Sequence, residues 1–155
     1  MLIAVIRLKG KVNLRKDVEE TLRMLRLNKR NHCIVLPPIK SIVGMIEHIQ
    51  PYITYGEIND KTLAYLLLKR GRLAGNKRLT AEYIKQKIGK TAEQFAKDII
   101  ESKSHIKDLP GMKPVFRLKP PAKGLEEKGI KKPYSLGGAC GYRGKNINEL
   151  LMRMI

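Results

Sequence analysis

The residue types that perform acid–base or metal chemistry are few in this sequence and lie far apart. The three histidines, His32, His48 and His105, have no neighbouring Cys, Asp or Glu at the spacing of a metal site or a catalytic triad. The two cysteines, Cys33 and Cys140, form no C-x-x-C motif, and Cys33 stands in the apolar run CIVL, which favours a buried free thiol. We therefore predict no catalytic residue, no metal site and no cofactor.

A glycine-rich segment near the end of the chain superficially resembles a phosphate-binding loop. Residues 138–144 read GACGYRG, which has neither the G-x-G-x-x-G nor the G-x-x-x-x-G-K-[ST] spacing, and no strand is predicted before it. Residues 141–144 also match the G-x-x-G clamp of a KH domain, but that fold needs helices on both sides of the clamp. Only the helix after it is predicted, so neither motif indicates a nucleotide site.

Positive charge is the dominant chemical feature of the chain. Its 155 residues include 32 Lys and Arg against 14 Asp and Glu, a formal net charge of +18. Such an excess opposes compaction unless a polyanion neutralises it, and the phosphates of nucleic acid are the obvious polyanion. A membrane would also attract cations, but the sequence has no polybasic amphipathic helix with an aromatic face and no apolar run of the roughly 20 residues that a span needs. We therefore expect no membrane partner.

Basic and aromatic residues in the loops are the candidate contacts with nucleic acid. Cations beside glycine bring backbone amides as well as charge close to phosphates. Dispersed aromatic residues on a backbone rich in Gly and Pro suit irregular RNA, whereas a DNA reader would present a recognition helix. We therefore expect an RNA partner and no DNA partner, with the following candidate RNA-binding residues: Arg7, Lys9, Lys11, Arg26, Lys29, Arg30, Asn31, Lys69, Arg70, Arg72, Lys77, Arg78, Phe116, Arg117, Lys119, Lys123, Lys131, Lys132, Tyr134, Tyr142, Arg143 and Lys145.

The elements that must position these residues fall into two parts, of which residues 1–58 form the first. Apolar periodicity there predicts a β-α-β-α-β core. The predicted strands span residues 2–8, 31–36 and 52–58. The first helix carries the apolar stripe Val18, Leu22 and Leu25, and the second is predicted to begin at an N-cap, Ser41.

Residues 59–155 form a C-terminal extension, in which helices are followed by a segment without a sustained apolar period. Helices are predicted within residues 60–103, with Asn59 or Asp60 as the first N-cap, Gly71 in left-handed geometry at its end, and a Thr91–Gln94 capping box further on. Residues 104–145 form a basic segment rich in Gly and Pro, in which only Val115 to Leu118 favour a strand. Asn146 and Glu149 have the spacing of a capping box for a terminal helix over residues 146–155, which we expect to dock on the core.

Six segments of the chain have a distinctive order and spacing, and together they cover essentially its whole length. They are TLRMLRLNKRNHC at 21–33, GMI at 44–46, TYGEI at 54–58, KRGR at 69–72, FRLKPP at 116–121 and GGACGYRGKNINELLMRMI at 137–155. Taken together, these segments resemble the large-subunit ribosomal protein thirty family, whose eukaryotic member is called large-subunit protein seven. Residues 1–58 resemble the short bacterial form, and the remainder resembles the extension of archaeal and eukaryotic members. Because the long lysine-rich N-terminal arm of the eukaryotic form is lacking, we expect an archaeal-type member.

The resemblance implies both a fold and a function. The fold is α+β, a ferredoxin-like β-α-β-α-β core with a small antiparallel three-stranded sheet, followed by a helical and loop-rich extension. The function is a non-enzymatic, structural role in the cytoplasmic ribosome, in contact with large-subunit rRNA, near the 5S rRNA and beside other ribosomal proteins. The residues themselves leave two alternatives open: an RNA-modifying enzyme, for which Glu57, Asp60 and His48 are the residues to mutate, and a free-standing RNA chaperone or translational regulator.

Overall fold

The computed structural model describes residues 1–155 except for the side chain of Lys107. Within this described part, five strands form one sheet in the order β4-β2-β1-β3-β5. The strands are β1 (Ile3–Arg7), β2 (His32–Leu36), β3 (Ile53–Glu57), β4 (Phe116–Arg117) and β5 (Gly141–Tyr142). The helices are α1 (Lys16–Met24), α2 (Lys40–His48), α3 (Asp60–Arg70), α4 (Ala81–Ile88), α5 (Ala92–Ile100) and α6 (Ile147–Met154).

The first three strands form the centre of the sheet. β1 pairs antiparallel with both β2 and β3, so that Val5 lies opposite Ile34 on one side and Tyr55 on the other. The two helices that connect these strands, α1 and α2, cover one face of the sheet. Their apolar stripes are buried there, because side chains three and four positions apart share one side of a helix. The predicted ferredoxin-like β-α-β-α-β core is therefore confirmed.

The opposite face of the sheet is covered by the C-terminal extension. Ala4, Ile6, Cys33 and Val35 alternate in sequence with the residues under α1 and α2, and they point to this second face. They form one apolar cluster with side chains of α3, α5 and α6, among them Leu63, Leu66, Phe95, Leu150 and Leu151. The predicted docking of the terminal helix on the core is confirmed, and the sheet is buried on both faces.

The extension also supplies both edge strands of the sheet. β4 pairs antiparallel with β2, which places Arg117 opposite His32, and β5 pairs parallel with β3, which places Tyr142 opposite Tyr55. The short strand expected within Val115 to Leu118 is confirmed as β4. The core has the antiparallel three-stranded sheet that was expected, and β4 and β5 extend it at its two edges to five strands. Of these edge strands, β5 was not predicted. Two residues are too few to show the alternation that marks a strand.

Helix ends agree with the sequence patterns where a side chain accepts a backbone hydrogen bond. Asn59 accepts from the backbone N–H of Thr62 at 2.8 Å, and the capping box of Thr91 with Gln94 is present. The other capping box was wrong, because no side chain caps α6 and Asn146 donates instead to the hydroxyl of Tyr134 at 2.9 Å. A short 3-10 turn over Gly144–Asn146 runs directly into the first turn of α6.

Two further local expectations were wrong for reasons of backbone geometry. α2 begins one residue before Ser41, and its N-cap is Ile39, whose backbone is extended with φ −81° and ψ 142° and whose side chain makes no hydrogen bond. Gly71 ends α3 with a φ of −58°, outside the left-handed region. Glycine is required at position 71 because a Cβ atom there would lie only 2.3 Å from the carbonyl oxygen of Leu67.

Candidate RNA-binding surface

One end of the sheet collects basic segments from distant parts of the chain. β1 ends where β2 and β3 begin, because both neighbours run antiparallel to it. The backbone N–H of Asn31 donates to the carbonyl of Arg7 at 2.8 Å, and the N–H of Lys9 donates to the carbonyl of Tyr52 at 3.2 Å. The loop after β1 and the loop before β2 therefore lie side by side.

The extension adds further cations to the same end. β4 brings Arg117 to the first residue of β2, and the start of β5 lies beside the start of β3. Lys131 and Lys132 share a cleft of about 450 Å³ with Lys9 and Gly141. We call this surface the basic end of the sheet, and it contains these predicted residues: Lys9, Lys11, Arg26, Lys29, Arg30, Asn31, Arg117, Lys131 and Lys132.

Most of these residues are exposed, and Lys9 and the uncharged Asn31 are half-buried. Lys11 forms an exposed ion pair with Glu19 at 3.7 Å, and the ammonium of Lys9 lies 5.4 Å from the ring centre of Tyr52. Within the described residues, the other Lys and Arg side chains of the basic end form no ion pair with a carboxylate. Their charge is therefore available to an external anion.

Arg7 was predicted as an RNA contact, but the structure encloses its side chain. Arg7 is 1% exposed, and its guanidinium donates to the carbonyls of Leu27 at 2.7 Å, Lys9 at 2.8 Å and Gly10 at 2.8 Å. Burial lowers the pKa of this guanidinium, and the charge of Glu19 opposes that shift. Arg7 thus ties together two basic loops and contributes no surface of its own.

Arg143 and Phe116 are two more predicted contacts that the structure buries. The two terminal guanidinium nitrogens of Arg143, Nη1 and Nη2, donate to the carboxylate of Glu126, and its Nε donates to Thr54 Oγ1 at 3.0 Å. Phe116 is 0% exposed and belongs to the core on the extension side of the sheet. We therefore remove Arg7, Phe116 and Arg143 from the candidate RNA contacts, since protein atoms already surround them.

Other predicted basic residues lie away from the basic end of the sheet. Arg72 and Arg78 pair across a tight turn that also carries Lys77. Lys69 lies 5.7 Å from the ring centre of Tyr65 on α3. These residues form separate positive regions, together with Arg70, Lys119 and Lys123, which lie near the C-terminal end of α6.

The two remaining predicted aromatic contacts, Tyr134 and Tyr142, lie with Lys145 beside the β5 edge of the sheet. Tyr142 is 52% exposed, its ring centre lies 5.5 Å from that of Tyr55, and its hydroxyl donates to Glu57. This hydrogen bond raises the pKa of Tyr142. Tyr134 is half-buried, with the Arg143 guanidinium 4.4 Å from its ring centre. Tyr142 is thus the predicted aromatic residue with the most accessible ring.

The structure adds two residues that the sequence analysis missed. Lys113 and His32 line a cleft of about 430 Å³ together with the predicted residues Arg26 and Arg117. No local signal identifies the pair, because 81 residues separate them in sequence and only the pairing of β4 with β2 brings them together.

One histidine–carboxylate pair occurs in the described part of the chain. His48 Nε2 lies 3.4 Å from Asp17 Oδ2, a pair that the sequence analysis did not anticipate, but both side chains are exposed and no described hydroxyl or thiol hydrogen-bonds to the ring. The described residues contain no group of three His, Cys, Asp or Glu that could hold a metal ion. Cys33 is confirmed as a buried free thiol, and burial raises its pKa.

The helices are all too short or too polar to cross a membrane, as far as the described residues extend.

Comparison with known proteins identifies the family of the chain. The family model described as "Ribosomal protein L30p/L7e" matches residues 3–53. Proteins named "Large ribosomal subunit protein uL30" match over the full length. Those of Nanoarchaeum equitans and Archaeoglobus fulgidus are each 51% identical over 154 residues, 99% of this chain and 99% of the relative. That of Methanococcus maripaludis is 48% identical over 155 residues, 100% of both chains. These matches confirm the resemblance found in the sequence, and the chain therefore belongs to the ribosomal protein L30p/L7e family in its long, archaeal form.

Proposed function

We propose that this protein is a structural, non-enzymatic constituent of the large ribosomal subunit that binds and stabilises rRNA. The observation that carries the proposal is the identity of about half of all residues, over the whole length, with relatives named as large-subunit proteins. The basic end of the sheet supports it, because cations without carboxylate partners can replace the counter-ions of rRNA phosphates. We place the protein in the cytoplasmic ribosome.

The finer position in the subunit is also part of the proposal. The resemblance of the chain to its family favours a site near the 5S rRNA. Neighbouring ribosomal proteins are proposed to cover exposed apolar side chains, of which Val12 is 87% and Leu136 is 61% exposed. Crosslinking of the protein within the large subunit, followed by identification of the attached RNA and protein, tests the site near the 5S rRNA and the contacts with neighbouring proteins. Crosslinks to large-subunit rRNA alone, with none to 5S rRNA, would contradict the finer position.

Sedimentation separates this function from the two alternatives. A tagged copy expressed in a related archaeon is fractionated on sucrose gradients before and after a high-salt wash. A subunit constituent stays with the large subunit through the wash. An RNA-modifying enzyme or a free RNA chaperone is released and migrates at the top of the gradient, and that result would overturn the proposal.

A charge-reversal pair tests the mode of binding. The test variant combines Lys29→Glu and Lys132→Glu, which reverse two exposed cations of the basic end of the sheet. The control variant makes the same change in net charge on exposed positions of α4 and α5, with Lys85→Glu and Lys97→Glu. We expect the first pair to reduce incorporation into subunits much more than the second. The affinity of the wild type for rRNA fragments should fall as salt rises, with a log–log slope of about −0.7 to −0.9 per neutralised phosphate.

A further inference from the structure

The cleft between the α1–β2 loop and β4 has the properties of a small binding site. Its volume of about 430 Å³ falls within the range of about 300–1,000 Å³ that is typical of small-molecule sites. Arg26 and Asn28 come from the loop, His32 from the first position of β2, and Lys113 and Arg117 from the segment that forms β4. The two walls are therefore far apart in sequence and are held together by strand pairing.

Positive charge in this cleft has no internal partner. Arg26, Lys113 and Arg117 are exposed, and none of them forms an ion pair within the described residues. The residues that line the cleft include no carboxylate, as far as the structure describes the chain. Three cations around one concavity suit a phosphate group.

The loop wall of the cleft is held in a fixed and costly conformation. Arg26 has a φ of +59°, in the left-handed region where glycine is the usual residue at the end of a helix. Its N–H donates to the carbonyl of Arg23 at 2.9 Å, and the carbonyl of the next residue, Leu27, accepts from buried Arg7 at 2.7 Å. A non-glycine residue held in this way is a feature found at functional sites.

The remaining lining of the cleft carries no formal charge apart from the titratable His32. Pro114 and Val115 provide an apolar wall next to the imidazole of His32. Burial lowers the pKa of His32, and the charges of Arg117, Lys29 and Arg7 lower it further, whereas the backbone carbonyl of Arg26 opposes the shift. These shifts favour the neutral imidazole, so His32 adds no further positive charge to the cleft.

We propose that this cleft binds a single unpaired nucleotide of RNA, with its phosphate on Arg26, Lys113 and Arg117 and its base against the wall of His32, Pro114 and Val115. This inference rests on the proposed rRNA-binding function and makes it more specific. A base inside a duplex cannot enter such a cleft, since its faces are stacked on its neighbours. A base in a loop or bulge is free to do so.

Binding of two RNA probes to the full-length protein tests the assignment. The probes are a single-stranded RNA oligonucleotide with 2-aminopurine at one position and the same strand annealed to its complement. The cleft variant is Lys113→Ala with Arg117→Ala, and the control variant is Lys85→Ala with Lys97→Ala. We expect the cleft variant to weaken single-strand binding by about tenfold and to abolish the change in 2-aminopurine fluorescence. Duplex binding should fall equally in both variants.

Two outcomes would overturn the inference. One is an equal loss of single-strand affinity in the cleft and control variants, and the other is an equal loss of single-strand and duplex affinity in the cleft variant. If the wild type stays with the large subunit in the sedimentation experiment while either outcome occurs, the cleft assignment alone fails. If the wild type binds neither probe and leaves the subunit, the proposed function fails with it.

Discussion

The guanidinium of Arg143 binds both carboxylate oxygens of Glu126, and this pair fastens the irregular part of the extension to the sheet. Arg143 follows β5, and its side chain is 2% exposed, whereas that of Glu126 is 21% exposed. The same guanidinium donates to Thr54 Oγ1 of β3 at 3.0 Å and to the carbonyl of Ala139 at 3.0 Å. One side chain thus connects β3 with two separate segments of the extension.

Replacement of Arg143 should destabilise the whole protein. Arg143→Ala removes the bidentate partner of the Glu126 carboxylate and one hydrogen bond of the Thr54 hydroxyl, which keeps its bond to the carbonyl of Gly141. Breaking a buried ion pair typically costs about 3–5 kcal/mol. Because Glu126 is partly exposed, we expect about 3 kcal/mol in the free energy of unfolding, measured with urea. Arg117→Ala is the matched control, and its exposed side chain should change stability by less than about 0.5 kcal/mol. Equal stabilities of the two variants would contradict the role of Arg143.

The same ion pair predicts a loss of stability in acid. Burial raises the pKa of Glu126, but the hydrogen bond and charge of Arg143, with the charge of Arg153, outweigh it and leave the pKa below its ordinary value of 4.5. A carboxyl group with a lowered pKa in the folded state stabilises the fold above its unfolded pKa, and this contribution is lost as the pH falls through the folded pKa. Urea titrations should show Glu126→Gln less stable than the wild type at neutral pH, with a difference that shrinks below about pH 4.5. A constant difference down to pH 2 would be inconsistent with this linkage, as would equal pH dependence in exposed Glu149→Gln.

Two glycine-to-alanine substitutions should change stability in opposite directions. A Cβ atom at Gly56 in β3 would lie 2.1 Å from the carbonyl oxygen of Gly144, whereas a Cβ at Gly44 in α2 meets no atom within 4 Å. Gly56→Ala should cost at least about 2 kcal/mol, because backbone atoms must move. Gly44→Ala should add about 0.5–1 kcal/mol, since alanine favours a helix. Thermal unfolding measures both, and a shift of the same sign in both variants would refute the packing of β3 against the turn before α6.

The buried side chain of Arg7 is predicted to support RNA binding indirectly, because it holds the two neighbouring basic loops in place. Arg7→Met removes donors from the carbonyls of Leu27, Lys9 and Gly10, so we expect a loss of about 2–4 kcal/mol in stability and faster hydrogen exchange at the Asn31 amide. Lys11→Met, an exposed residue of the same loop, should leave both unchanged. Protection of Asn31 in Arg7→Met equal to that of the wild type would show that other contacts fix the loops.

We propose that residues 1–58 and the extension 59–155 fold as one unit. Without the extension, Ala4, Ile6, Cys33 and Val35 lose their apolar cover and both sheet edges lose a strand. A fragment of residues 1–58 should therefore unfold at much lower urea concentration than the full chain, as followed by circular dichroism. Addition of a fragment of residues 59–155 should restore stability. A fragment as stable alone as in the full chain would show that the two parts are independent.

The sequence by itself determined the elements that are long enough to show a period. The stripe of Val18 and Leu22 identified α1. The candidate caps Asn59 or Asp60, of which the structure uses Asn59, and Thr91 identified the starts of α3 and α5. These signals lie within a few neighbouring residues. The excess of positive charge likewise required no structure to indicate a polyanionic partner.

Only the tertiary structure decided which basic residues face solvent and which ones meet. Arg7 and Arg143 are arginines of basic segments, as Arg30 and Arg117 are, yet only the first two are buried. Their guanidinium groups reach partners that include the carbonyl of Leu27 and the carboxylate of Glu126, which the folded chain brings next to them. The strand β5 and the cleft beside His32 depend on pairings between segments more than 80 residues apart. Such contacts leave no local pattern, since their partners become neighbours only when the chain has folded.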